Sequence, residues 1–381
     1  MRTNLLWATT LLLVVSTCPV SATSVDTARL AAHLKTIRGK MWLSAAEYQR
    51  VQTDYLNWID ARIKAGGDTA SMNRELAAAG LLPRWQDTPD EMLNSHAGYL
   101  QSVSTKPVRG AKDILAITAG VYMGGGCSLN ETVALYQLSP LTKLAHFSAT
   151  PGEPEYAYYL SGLDVGARSA NGLRLVASGW VASNCTSNWN GKRIRIDRLN
   201  GHSADNLLAR DLYARDRDGT ETVAASIQQD VVTFNYDGGL GDSKLMSVPA
   251  IARYRVAGVR VFREAPIALT RAGFIHEWLD IVDSEAVHWG ETGAMGKRKE
   301  IAAGIAKHGF EWASVASCGG SPPIWEIALR PRESKDLYLL RISGSRATEL
   351  RIVATADDPS RTCVQENIEN GLANLARELP W

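Results

Sequence analysis

The chain has no excess of either charge: 41 lysines and arginines meet 40 aspartates and glutamates, a formal net charge of +1. The bulk attraction that draws proteins to nucleic acid is therefore missing, and no nucleic-acid partner is expected. It has no Cys-x-x-Cys and no close Cys/His pair, which removes a structural zinc site built on cysteines. Gly-x-Ser-x-Gly, His-Glu-x-x-His and Gly-x-x-x-x-Gly-Lys-Ser/Thr are all absent. Nucleophile-elbow hydrolases, zincins and P-loop enzymes thus lack their linear signatures here. Nothing after the leading segment is low-complexity, and no Pro/Ser-rich linker marks a clean domain break. What the chain does have is length: 381 residues, 45% hydrophobic and 21% charged, enough to bury a sizeable core.

Its one long apolar run is at the start. Arg2 precedes Leu5 to Val15, then Ser16, Pro19 and the small triplet Val20-Ser21-Ala22. This order reads as a secretory leader cleaved after Ala22, because the run is shorter than the roughly 20 residues a spanning helix needs. No transmembrane span is expected after cleavage, and the mature protein is expected in the periplasm or secreted. A lipid anchor at Cys18 is disfavoured by bulky Thr17 before it and Pro19 after it. Cleavage takes Cys18 from the five cysteines and leaves Cys127, Cys185, Cys318 and Cys363. An even number in an oxidising compartment predicts two disulfides, with all three pairings open.

Helical periodicity follows. Leu30, Leu34, Ile37 and Met41 share a face, with Gly39 near the stop. Ser44 and Glu47 form a capping box ahead of Tyr48, Val51, Tyr55 and Ile63, ended by Gly66-Gly67. A shorter helix over 69–79 carries Met72 and Leu76 and stops at Gly80. Further on, helices are expected over 272–284, with Phe274, Trp278 and Ile281 on one face, and over 292–308. An amphipathic segment carries Val364, Ile368, Leu372, Leu375 and Leu379.

Between these lie short β-rich runs. Blocks begin at Ile114, Leu173 and Val231, spaced 59 and 58 residues apart. Each continues into a second strand and a third run, and a fourth block starts at Phe310. Glycine- or asparagine-rich turns hold Cys127, Cys185 and Cys318. The expected fold is therefore α+β and mainly β: repeated antiparallel units, propeller-like or a sandwich, with N-terminal helices and a helical insertion. The expected divisions are a leader over 1–22, a helical region over 23–100 and β units over 101–270. An insertion over 271–309, a final β unit over 310–358 and a helical segment over 359–381 complete them.

Candidate chemistry is thin. His276 and Asp280 are four apart on one helix face and would hold zinc with Glu277 as base, but Asp280 replaces the second histidine of that pattern. Asp216 and Asp218 suggest a calcium loop, but the first ligand position is Ala214 and arginines interleave; Asp218-Gly219 reads better as a hairpin turn. No cofactor is expected. Of the eleven tryptophans, Trp180, Trp189, Trp312 and Trp325 fall in or beside the cysteine-bearing turns. Core packing is the expected role for most of them. If the blocks repeat, their turns gather on one side, and Asn188, Trp189 and Trp325 there would bind a ligand. The function expected is non-enzymatic binding of a glycan, peptide or protein partner in the cell envelope. The alternatives are a polysaccharide hydrolase using a pair from Asp216, Asp218, Asp237, Asp242, Glu277 and Asp280, and an envelope assembly factor with an exposed apolar patch.

Overall fold

The computed structural model places every strand among the described residues in one of four antiparallel sheets, and each sheet runs in chain order except for the last strand of the fourth. It describes residues 22–40, 42–83, 97–108, 110–124, 129–149, 158–169, 173–182, 189–201, 203–215, 222–238, 248–266, 268–306, 309–356 and 359–380, with backbone alone at 22–26, 189–190, 212–215, 237–238, 248–249 and 306. The first sheet holds β1 (Ser104–Lys106), β2 (Ile114–Tyr122), β3 (Leu129–Leu138) and β4 (Leu141–Ser148). The second holds β5 (Tyr158–Val165), β6 (Arg174–Ala182), β7 (Trp189–Asn200) and β8 (Ser203–Arg215), and the third β9 (Val223–Gln228), β10 (Val231–Gly238), β11 (Val248–Ala257) and β12 (Arg260–Arg263). In the fourth, β13 (Phe310–Gly319), β14 (Ile324–Pro331), β15 (Tyr338–Ser343) and β16 (Arg351–Ala356) form the meander, and β17 (Val364–Gln365) returns to the free edge of β13. The protein is mainly β with added helices.

Three helices lead: α1 (Ala22–Ile37), α2 (Ala45–Lys64) and α3 (Thr69–Ala78). The expected capping box is formed, with the Ser44 hydroxyl accepting from Glu47 N and the Glu47 carboxylate accepting from Ser44 N. Tyr48, Val51, Tyr55 and Ile59 of α2 are buried against one face of the first sheet, on Ile117, Ala119, Ala134 and Tyr136. Burial of this kind is worth about 2 kcal/mol for each large aliphatic side chain, which a short helix needs to persist. Among the described residues no helix is long and apolar enough to cross a membrane.

The other face of the first sheet stacks on the second, through Val133, Leu135 and Phe147 against Leu160, Val176 and Trp180. The second in turn stacks on the third, through Ile194 and Ile196 against Val232, Phe234 and Tyr254. Side chains also capture backbone amides of the incoming strands β5 and β9. Leu160 N donates to Glu131, Val223 N to Ser161 and Ile227 N to Asp164. A bare strand edge is thereby closed.

The fourth sheet packs instead under helices α4 (Arg271–Asp280), α6 (Thr292–Ala306) and α7 (Ile368–Ala376), with the one-turn α5 (Asp283–Ala286) between the first two. The helix expected over 272–284 is thus two. It breaks at Ile281, whose extended backbone follows the last turn of α4. The cause is Arg298 of α6, whose guanidinium donates to the carbonyls of Trp278, Leu279 and Ile281 and pairs with Asp283. Those carbonyls are satisfied without helix continuation.

Asp218-Gly219, read as a hairpin turn, lies outside the described residues; the strands on either side, β8 and β9, belong to the second and third sheets. Another expectation is corrected. Cys318 lies within β13 rather than in a turn, because that strand runs on to Gly319 opposite Ile324.

Candidate functional site

The C-terminal helix is placed by its flanks. The Cys318–Cys363 disulfide ties the strap before it to β13, and Val364 and Gln365 pair with Ser317 and Ala316. Glu366 N then donates to Val315 O, and Asn367 caps α7 by accepting from Glu369 N. Gly371 sits on Val315 so closely that a methyl group there would fall 2.6 Å from its Cβ, which is why the inward face needs a glycine. Leu375 is fully buried, and beyond the helix Leu379 N donates to Leu269 O.

This anchoring turns a polar row outward. Asn367, Asn370, Asn374 and Arg377 recur at spacings of three, four and three, the period of one helix face. With Glu366 and Ala373 they line an open cleft of about 480 Å³. Asn374 Nδ2 donates to the Glu366 carboxylate at 3.0 Å. Each amide offers two donors and an acceptor, and the guanidinium offers five donors, a set suited to hydroxyls, peptide groups or a carboxylate. Val364 and Ile368 expose apolar surface beside it.

A second cleft of about 300 Å³ lies between α6 and β15–β16, lined by Lys297, Glu300, Asp336 and Tyr338 among others. Burial and then the fields of Asp336 and Glu300 raise the Tyr338 phenol above its ordinary range. Both carboxylates are exposed, and Asp336 accepts from Ser334 Oγ at 2.8 Å.

The sequence candidates land elsewhere. His276 stacks on Phe310, with ring centroids 4.6 Å apart, and meets Trp312 edge-on, while Asp280 is exposed. Among the described residues no group of three His, Cys, Asp or Glu side chains could hold a metal. Glu277 is occupied: Arg263, with 1% of its side chain exposed, bonds it at 2.5 Å, and Ala268 N donates to its other oxygen. The same guanidinium reaches Glu285 and lies over the Trp289 ring. Trp180 is fully buried, its indole donating to Ser178, which fulfils the packing expectation. Trp325 is half-buried in the helix-covered core, with the Arg271 guanidinium 5.5 Å from its ring centroid. Asn188, Asp216, Asp218, Asp242, Cys127 and Cys185 lie outside the described residues, and of Trp189 and Asp237 only the backbone is described.

The asparagine row has a visible sequence signal, its helical spacing opposite Gly371 and Leu375, but asparagine carries no catalytic signature that would single it out. Glu300 and Asp336 have none, since only the packing of α6 on the sheet brings them to one cleft. No protein-family model matches the chain, and no curated protein sequence matches it.

Proposed function

We propose that the chain is an exported, non-enzymatic binding protein of the cell envelope, holding a glycan, peptide or protein partner along the outer face of α7. The carrying observation is the amide row Asn367, Asn370 and Asn374, with Arg377, along an open cleft on a helix anchored at both ends. Hydrogen-bonding groups on a rigid element suit recognition, since little ordering is required on binding. The leader over 1–22 and the disulfide both favour an oxidising compartment outside the cytoplasm. Balanced charge argues against nucleic acid.

A second reading, a polysaccharide hydrolase, draws support from the two carboxylates of the α6–β15 cleft. Glycoside hydrolysis needs only a suitably spaced pair, and Glu300 and Asp336 flank one tyrosine there. The six carboxylates expected from sequence support it less, because Glu277 is tied to Arg263.

The test is thermal unfolding of the mature chain, disulfides intact, against envelope glycans and short peptides, with the ligands recovered and analysed. A ligand at a hundredfold excess over Kd stabilises by about 2.7 kcal/mol, a readily visible shift. A shift with intact ligand supports binding. Cleaved ligand that survives intact with Glu300→Gln supports the hydrolase.

A further inference from the structure

The joint between the first and second sheets is made at a buried acid. Glu131 of β3 is 2% exposed, and its carboxylate accepts the Leu160 amide of β5 at 2.5 Å. Tyr158, two residues earlier on β5, pairs with Ala182 at the end of β6, so this bond fixes the entry of the whole second sheet against the first. On its own sheet the carboxylate also receives the side chains of Thr118 and Gln101. Thr118 is held in turn by Ser104 of β1 at 2.7 Å. Gln101 lies over Gly120, the strand partner of Glu131, and a methyl group at Gly120 would fall 2.6 Å from Gln101 Oε1. That oxygen is buried and accepts no hydrogen bond among the described residues. It is an orphaned acceptor on the same amide whose nitrogen donates to the carboxylate, and turning that amide over brings the oxygen to a protonated carboxyl, which has one donor to offer.

We propose that Glu131 makes this joint proton-dependent, closed most firmly when its carboxyl is protonated and can donate to Gln101. The charged and titratable groups facing it are Lys106 of β1, whose field favours ionisation, and Tyr122 of β2, whose phenol stays neutral; β5 presents a backbone amide. Burial outweighs Lys106 and the donors, and holds the carboxyl above its ordinary value of 4.5. The sign follows from that direction. The folded chain keeps the proton longer than the unfolded one, so the joint's stability is complete below the ordinary glutamate range and is lost as pH rises through the raised value. A protein outside the cytoplasm meets such changes in its surroundings.

The experiment is a pH titration of the Leu160 amide by NMR of the full mature protein, beside thermal unfolding of the wild type and Glu131→Gln. The glutamine keeps an acceptor for Leu160 and brings a donor for Gln101. The expected result is a Leu160 resonance that titrates with a midpoint above 4.5, and a variant whose unfolding temperature is less sensitive to rising pH. A Leu160 resonance that does not titrate, or a Glu131→Gln profile that follows the wild type, overturns the proposal. The first readout needs no substitution, so a variant that fails to fold leaves the test standing.

Discussion

Gly162 of β5 stands directly opposite Gly179 of β6, and Val223 of the third sheet rests on the two. A methyl group at Gly179 would lie 2.5 Å from Val223 Cγ1, and one at Gly162 would collide with the Val223 carbonyl oxygen. The same valine donates its amide to Ser161 at 2.8 Å, so contact and hydrogen bond hold β9 at one place. Gly179→Ala is expected to destabilise the protein by about 3 kcal/mol, because the obstacle is a buried branched side chain flanked by backbone. Urea unfolding of the variant measures this; a loss under about 1 kcal/mol would show that the sheets slide apart freely.

Arg263 is the keystone between β12 and the inserted helices. It is almost fully buried and serves both Glu277 and Glu285. Arg263→Ala leaves Glu277 buried without its cation and is expected to cost about 3 kcal/mol. Arg253→Ala breaks a pair whose arginine is 42% exposed and is expected to cost under about 1 kcal/mol. Equal losses in the two variants would contradict the assignment.

The C-terminal cap should depend on its covalent tie. Cys318 and Cys363 are 45 residues apart, for which chain entropy gives about 4 kcal/mol, less any strain relieved. Cys318→Ser with Cys363→Ser is therefore expected to lower stability by about 2 to 4 kcal/mol and to raise hydrogen exchange first in 364–376. With this pair made, two disulfides require Cys127 to join Cys185. Peptide mapping without reductant is expected to recover both links, and free thiols at Cys127 and Cys185 would contradict the two-disulfide reading.

Acid should loosen the start of α2. Lys40, then the backbone amide and hydroxyl of Ser44, hold Glu47 down to about 2. A carboxylate lowered in the folded state contributes stability above its ordinary value of 4.5 that is lost as pH falls toward about 2. Glu47→Gln is expected to make the exchange of α2 amides less sensitive to pH across that window. An unchanged profile would remove the capping box from the acid response.

The legible parts of the fold are those governed by local rules. Ser44 and Glu47 mark the start of α2 because a cap is written within four residues, and the second and third strands of each sheet show as apolar runs. The first strands β1, β5 and β9 are not legible in this way. Ser104–Lys106 is three residues long, and Tyr158–Val165 is interrupted by Ser161-Gly162, whose small side chains make sense only with Val223 in place. The break after Asp280 is hidden for the same reason, since Arg298 acts on carbonyls 17 to 20 residues earlier. Glu277 looked like a base in the sequence because its partner Arg263 belongs to another element.

The most direct measurement of binding at α7 is a calorimetric titration of the mature protein and of Asn370→Ala with Asn374→Ala, using the glycan or peptide class that shifts unfolding. The wild type is expected to bind it and return it intact, while the variant, equally stable, binds at least about tenfold more weakly through its lost hydrogen bonds. Equal affinity in the variant, or cleaved ligand from the wild type, would contradict a binding role for the outer face of α7.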